Sequence, residues 1–112
     1  MQPGRALAYF YFSLGDLLDK ENRVRQAIEC YTEGLAIDNT FGRAYMRLGN
    51  DMALMGAAPS ITRVFFEQAA LRAPSDPQVL SKYYRMKERS KVYDQDIANQ
   101  LKGKFNQLRF QK

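Results

Sequence analysis

The feature of this 112-residue chain that most constrains its fold is a repeat with a period of 34 residues. Leu14-Gly15 recurs as Leu48-Gly49, and Tyr11 recurs as Tyr45 at the same offset. Self-similarity at such a period is typical of stacked supersecondary units, each of which buries its apolar face against its neighbour. The chain is therefore expected to be a short array of repeats, with no room for a second full domain.

Each repeat is expected to contain two α-helices. In the first repeat, apolar residues at steps of three and four define one face of each helix: Leu7, Tyr11, Leu14 and Leu18, then Val24, Ala27, Ile28, Tyr31 and Leu35. A polar, turn-like segment at 19–23 separates them. Glycine inside a helix costs about 1 kcal/mol relative to alanine. Its recurrence as Gly15 and Gly49 therefore predicts that the paired helix approaches closely.

The second repeat is less regular than the first. A loop at 56–60, Gly-Ala-Ala-Pro-Ser, is expected to carry one extra residue. The alignment therefore leaves open whether Phe65 or Phe66 is the equivalent of Tyr31.

The order of a tyrosine, a Leu-Gly pair, a small residue and an aromatic residue resembles the tetratricopeptide repeat. The residues that carry the resemblance are Tyr11, Leu14-Gly15, Ala27, Tyr31, Gly34 and Asn39, then Tyr45, Leu48-Gly49, Phe66, Ala69 and Pro74. The family implies an all-α superhelix of α-α hairpins, here with repeats at about 8–41 and 42–76, that binds other proteins. The chain departs from the family pattern at Asn39, where proline is usual, and at Ile61-Thr62, where a small residue is usual.

Residues 77–112 lack the Leu-Gly signature. Asp76-Pro77 is a good helix start, with an acidic N-cap and proline at the first helical position. Two runs of helical spacing follow: Val79, Leu80, Tyr83 and Met86, then Tyr93, Ile97, Leu101, Phe105 and Leu108. We expect a pair of helices that forms a C-terminal cap, or else a degenerate third repeat; the missing signature favours the cap.

Positive charge is concentrated at the C-terminal end of the chain. The chain carries +5 overall, and residues 82–112 hold nine basic and three acidic side chains. The candidate basic patch consists of Lys82, Arg85, Lys87, Arg89, Lys91, Lys102, Lys104 and Arg109. It is interpreted as a solvated helix face or as a docking patch for an acidic protein, RNA or an anionic membrane.

The family resemblance also implies a concave groove that binds a partner. Its lining residues would be Tyr9, Phe12, Asp16, Arg43, Met46 and Asn50. Phe12 and Met46 stand where chaperone-binding members of the family carry clamp lysines, so a chaperone tail is not expected. An apolar groove containing aromatic residues and methionine instead favours a helix or an extended apolar peptide.

The first helix is expected to leave an apolar surface at its outer side, where a preceding repeat would normally pack. We call Phe10 and Leu17 the N-terminal edge. Exposed apolar area of this kind marks an interface with another protein or with a second copy of the chain. The alternative is that Pro3-Gly4 folds back over Phe10.

Composition excludes several classes of function. Histidine is absent and cysteine occurs once, at Cys30, which excludes Ser-His-Asp and Cys-His pairs, an internal disulfide and a four-ligand zinc site. The carboxylate pairs Asp16/Asp19 and Asp94/Asp96 have no glycine-rich phosphate loop beside them. We expect no enzymatic role, no cofactor and no metal.

The N-terminal sequence lacks the long apolar run and small-residue cleavage site of a signal peptide. The most apolar stretch, 6–18, would rise only about 20 Å as a helix, which is too short for a bilayer core of about 30 Å. We expect no membrane span and an intracellular, most simply cytoplasmic, location.

The sequence thus favours a non-catalytic adaptor or structural subunit that binds protein through the groove and the N-terminal edge. The alternatives are a nucleic-acid-associated subunit, for example of a ribonucleoprotein, that docks through 82–112, and a homodimer formed through the first helix.

Overall fold

The computed structural model describes residues 3–110, except for the side chains of residues 3, 90, 92–94, 97 and 105–110. Within this range every regular secondary-structure element is an α-helix. The helices are α1 (Pro3–Lys20), α2 (Val24–Ile37), α3 (Gly42–Leu54), α4 (Pro59–Arg72) and α5 (Pro77–Phe110). The all-α architecture expected from the repeat is confirmed.

Consecutive helices pack as hairpins, which stack in chain order. Helices α1 and α2 form hairpin 1, α3 and α4 form hairpin 2, α2 packs on α3, and α5 packs on α4 and the adjoining part of α3. One buried cluster joins hairpin 1 to α3 and contains Ala8, Phe12, Leu18, Ala27, Tyr31, Ala44 and Leu48. A second joins hairpin 2 to α5 and contains Met46, Phe66, Ala69 and Val79. Each hairpin therefore buries its apolar face against the next element.

Gly15 allows α1 and α2 to approach closely, as the sequence predicts. A Cβ atom at Gly15 would lie 2.6 Å from Cε1 of Tyr31, whose side chain is fully buried. At Gly49 the same test gives looser contacts, 3.2 Å to Cβ of Phe65 and 3.3 Å to the ring of Phe66. The recurring glycine therefore makes room for an aromatic residue of the paired helix, more tightly in hairpin 1.

The extra residue of the second repeat lies in the loop between α3 and α4. The α1–α2 loop spans 21–23, whereas the α3–α4 loop spans 55–58. Each loop contains one residue with a left-handed backbone, Asn22 at φ 60° and Gly56 at φ 86°. Glycine and asparagine are the residues that adopt this conformation at least cost.

The buried face of α4 identifies the equivalent of Tyr31. Thr62, Phe66 and Ala69 are the buried residues of α4, and each follows its counterpart in α2 by 35 residues. Phe66 therefore occupies the place of Tyr31, and Phe65 lies one position away, where it packs against the first cluster.

The segment after residue 76 differs from the expected pair of helices, because α5 is one continuous helix. Its start is as predicted: α5 begins at Pro77, and Asp76 Oδ1 accepts a hydrogen bond from the backbone N–H of Gln78 at 3.0 Å. Residues 87–92, Lys-Glu-Arg-Ser-Lys-Val, contain neither glycine nor proline. A polar stretch without a helix breaker continues as solvated helix, with Glu88 and Lys91 paired at 3.5 Å on its surface.

Candidate interaction surfaces

The N-terminal edge is open to solvent. Phe10 is 61% exposed and Leu17 is 57% exposed, with Leu7 about half exposed on the same side of α1. Because α1 is already helical from Pro3 onward, Pro3-Gly4 does not fold back over Phe10. Three large apolar side chains thus lie along one stripe of a surface helix.

Equivalent positions in the other units are buried. Ala44 follows Phe10 by 34 residues and Val79 follows Ala44 by 35, and both are only 1% exposed. Ala44 belongs to the cluster formed with hairpin 1, and Val79 to the cluster formed with hairpin 2. At two of three equivalent places a preceding hairpin covers the position, and at α1 none of the described residues does.

Two of the expected groove residues are part of the core. Phe12 is 3% exposed and Met46 is 6% exposed, so neither lines an open groove. The ring of Phe41, just before α3, lies 5.2 Å from that of Phe12, and Val79 of α5 packs with Met46. The chain therefore fills with its own side chains the space that the family resemblance assigned to a ligand.

The other expected groove residues have internal partners or lie at a rim. Tyr9 is partly exposed, and its ring lies 5.7 Å from that of Phe41. Arg43 donates to Asp76, with Nε 2.5 Å from Oδ2, and this ion pair together with the N-cap hydrogen bonds holds the pKa of Asp76 below its usual value. Asn50 is half-buried and lines a cavity described below.

Asp16, the remaining groove residue, belongs to a group that we call the carboxyl cluster. It consists of Asp16 and Asp19, which contact the Tyr31 hydroxyl, and of Asp51, which adjoins Asp19. The Tyr31 hydroxyl lies 2.7 Å from Asp16 Oδ1 and 2.8 Å from Asp19 Oδ2. Arg47 Nη1 donates to both oxygens of Asp16, at 2.6 and 2.5 Å. The cluster thus links α1, α2 and α3 through polar contacts.

The carboxyl cluster needs an additional proton to satisfy its oxygens. The single Tyr31 hydrogen cannot serve both neighbouring carboxylates at once. In addition, Asp19 Oδ1 and Asp51 Oδ2 are buried and meet no donor among the described residues. Burial, with a hydrogen bond to Asp19, raises the pKa of Asp51 to about 8. Because this pKa lies above 7, Asp51 is expected to be mainly protonated at neutral pH and to act as a donor to its neighbours. Burial also raises the pKa of Tyr31.

Asp51 and Arg47 were not among the sequence candidates. Asp51 is 4% exposed, yet it stands on the helix position where α1 has Leu17, so apolar periodicity predicts a hydrophobic residue there. The available signal was a charged residue at a position expected to be buried. The pattern does not reveal its neighbours, because Asp16 and Asp19 come from another helix.

A cavity of about 630 Å³ lies where α5 diverges from hairpin 2, and we call it the cationic cleft. It is lined by Asn50, Ala53, Ala57, Pro59, Ser60, Thr62, Arg63, Phe66, Lys82, Arg85, Met86 and Arg89. The volume is within the range of ligand-binding cavities, about 300–1,000 Å³.

The candidate basic patch is divided over several faces of α5. Lys82, Arg85 and Arg89 line the cationic cleft. Lys87 lies over the ring of Tyr83, 5.3 Å from its centroid, and Lys91 pairs with Glu88. Lys102 and Lys104 are exposed farther along α5, and Arg109 lies outside the described side chains.

The part of the chain that the structure describes contains no group of His, Cys, Asp and Glu side chains able to hold a metal ion. None of its helices is both long and apolar enough to cross a membrane. Comparison with family models finds none that matches the chain, and comparison with curated proteins finds no match either.

Proposed function

We propose that this chain is a non-catalytic protein–protein interaction module, an adaptor or structural subunit, that docks a helical hairpin of a partner on its N-terminal edge. The observation that carries the proposal is the contrast between Phe10, which is 61% exposed, and its equivalents Ala44 and Val79, each 1% exposed. Exposed apolar stripes of this kind are typical of interfaces.

The stacking of the chain itself supports a hairpin as the occupant. Hairpin 1 covers one face of α3, and hairpin 2 covers the equivalent face of α5. A partner hairpin on α1 would extend this series by one unit. The resemblance to the tetratricopeptide repeat supports the same proposal, because arrays of that family bind protein.

Photo-crosslinking tests the proposed docking surface. A benzophenone amino acid replaces Phe10 in the full chain, and a matched variant carries it at Leu71, which is also exposed but lies on α4. We expect one discrete protein adduct from a native extract at position 10, resistant to nuclease and lost when Leu17→Glu is added. The Leu71 variant should not give this adduct.

The mass of the adduct distinguishes the possible partners. An adduct of twice the chain mass, together with a dimer in light scattering, would show that a second copy of the chain docks on this surface and not the hairpin of another protein. Equal crosslinking at positions 10 and 71, or an adduct that survives Leu17→Glu, would contradict docking at the N-terminal edge. Loss of the adduct on nuclease treatment would favour nucleic-acid association through α5.

A further inference from the structure

The cationic cleft corresponds, residue by residue, to the carboxyl cluster of the preceding interface. The first interface contains Asp16, Asp19, Tyr31, Arg47 and Asp51. The equivalent positions lie 34 residues later for the step from α1 to α3, and 35 residues later for the steps from α2 to α4 and from α3 to α5. They are occupied by Asn50, Ala53, Phe66, Lys82 and Met86. All five equivalents line the cleft. A space that polar side chains fill between hairpin 1 and α3 is thus left open between hairpin 2 and α5.

Compared with the first interface, the cleft has uncharged residues at the positions of the three aspartates and keeps a cation at the position of Arg47. Arg47 is neutralised by Asp16 in the first interface, whereas its equivalent Lys82 faces Asn50 and Ala53. Arg85 and Arg89 add two more cations to the rim of the cleft. Among the described residues no carboxylate forms an ion pair with Lys82, Arg85 or Arg89. The cleft therefore has an excess of positive charge. In the first interface, by contrast, the equivalent cation Arg47 is neutralised by Asp16.

The rim cations are arranged along a line. Lys82, Arg85 and Arg89 are separated by three and four residues, so they share one face of α5 and span about 10 Å. A row of this length matches several carboxylates of an extended segment better than one small anion. Lys87 and Lys91 lie on other faces, where Tyr83 and Glu88 contact them.

The floor of the cleft is apolar. Ala53, Phe66 and Met86 contribute to it, and among the side chains that the structure describes Phe66 is the only aromatic one that lines the cleft. Its ring is buried, so it offers no open face on which a nucleotide base could stack. The combination of an apolar floor and a cationic rim suits a peptide that carries aliphatic side chains between carboxylates.

We propose that the cationic cleft binds an acidic peptide segment of a partner protein, with an aliphatic side chain on the floor and carboxylates on Lys82, Arg85 and Arg89. The partner carboxylates take the place that Asp16 and Asp19 occupy in the first interface. This surface is separate from the N-terminal edge, so each proposal is tested independently of the other.

Fluorescence anisotropy with a defined probe tests the proposal on the full chain. The probe is a fluorescein-labelled nonapeptide of alternating glutamate and leucine, and its control has glutamine in place of glutamate. We expect saturable binding of the acidic probe alone. The double variant Arg85→Gln/Arg89→Gln should weaken binding at least about tenfold, because it removes two charge-assisted contacts.

A matched double variant separates site binding from attraction to net charge. Lys87→Gln/Lys91→Gln removes the same charge from the same helix but from other faces, and we expect less than about a twofold change in affinity. Equal losses in both double variants would overturn the proposal. So would the absence of saturable binding at millimolar protein, or tighter binding of an oligouridylate that responds to the same variants.

Restoring the missing carboxylate provides a second, independent test. Ala53→Asp introduces at the cleft the acid that Asp19 provides in the first interface, and it should weaken probe binding about as much as the arginine variant does. Ala36→Asp is the control, since Ala36 is exposed and is also the last but one residue of its helix. Equal effects of the two substitutions would contradict binding in the cleft.

Discussion

At the scale of single residues, Tyr31 connects packing and polarity in hairpin 1. Its ring fills the space that Gly15 leaves, and its hydroxyl lies between two carboxyl groups. Phe66, its counterpart in hairpin 2, keeps the ring and lacks the hydroxyl. The ring and the glycine could be predicted from the repeat. The contact of the hydroxyl with Asp16 and Asp19 could not, because it joins side chains of two different helices.

Gly15→Ala is expected to destabilise the protein although alanine favours helix. The added methyl would overlap Cε1 of Tyr31, 2.6 Å away, and overpacking of this kind costs about 1–3 kcal/mol. Gly103→Ala is the matched control: Gly103 is also inside a helix and has nothing within 4 Å of its Cβ position, so a gain of up to about 1 kcal/mol is expected. Denaturant titrations of both variants measure the difference. A stabilising Gly15→Ala would contradict the packing described here.

The carboxyl cluster is expected to make stability decrease as the pH rises. Asp51 has a pKa of about 8 in the folded protein, against a reference of 3.8, so the folded state holds a proton that the unfolded state has lost. Between these values the free energy of unfolding should fall with pH, at most by about 1.4 kcal/mol per unit, and level off above the folded pKa.

Asp51→Asn provides the test of this pH dependence, because its amide carries a hydrogen bond donor at every pH. Denaturation at intervals from pH 5 to 9 should show a flatter profile for Asp51→Asn than for the unmodified chain. Asp38→Asn is the control: hydrogen bonds from Thr40 keep the pKa of Asp38 low, so its loss should leave this part of the profile unchanged. An equal slope in Asp51→Asn would refute the role of Asp51.

At the scale of elements, the helices of the two hairpins were predictable and their accessible surfaces were not. The spacing of Leu14-Gly15 and Leu48-Gly49 defines two helical hairpins. Phe12 packs on Gly34 of α2 and on the ring of Phe41, which lies 29 positions later, just before α3. Periodicity within one helix contains no information about such a contact.

The continuity of α5 was not predicted, although the sequence contains a signal for it. Its two apolar runs are separated by polar residues, and the expected pair of helices would require a turn there. A turn needs residues that favour it, and 87–92 contain none of the usual breakers. Exposed polar residues continue a helix readily, because lysine, glutamate and arginine all have good helix propensity.

A distance measurement between spin labels distinguishes one helix from two. Ser81→Cys/Leu101→Cys, in a Cys30→Ala background, labels two exposed positions of α5. A continuous helix separates their Cα atoms by about 30 Å, at 1.5 Å per residue. A hairpin with a turn near residue 91 would bring the labelled positions to about 10 Å, the spacing of packed helices. A short distance would contradict the continuous α5.

At the scale of the whole molecule, packing density decreases from hairpin 1 towards the far part of α5. Hairpin 1 and α3 share the larger buried cluster, hairpin 2 and the start of α5 share the smaller one, and residues 98–104 are all exposed. In a stack each unit is stabilised by its neighbours, so stability is expected to follow the same order.

Hydrogen exchange should reproduce this order. Amides of 27–34 in α2 are expected to exchange only in the most extensive openings, because their helix is packed between α1 and α3. Amides of 98–104 should exchange earlier, since local opening there breaks helix hydrogen bonds without exposing buried side chains. Mass spectrometry of peptic fragments measures both segments in one sample. Equal protection of the two would show that α5 is covered by another molecule or by a second copy.

The stacking order of the helices also determines how many partners can be held at once. The N-terminal edge lies on α1 and the cationic cleft lies between hairpin 2 and α5, and α2 packs between α1 and hairpin 2. Ligands of these two surfaces would not compete for space, so the chain would act as a bivalent bridge. A partner that carried both complementary segments on one flexible chain would make its second contact at an effective concentration in the millimolar range. Two individually weak contacts would then give tight binding, and losing either one would release the whole partner.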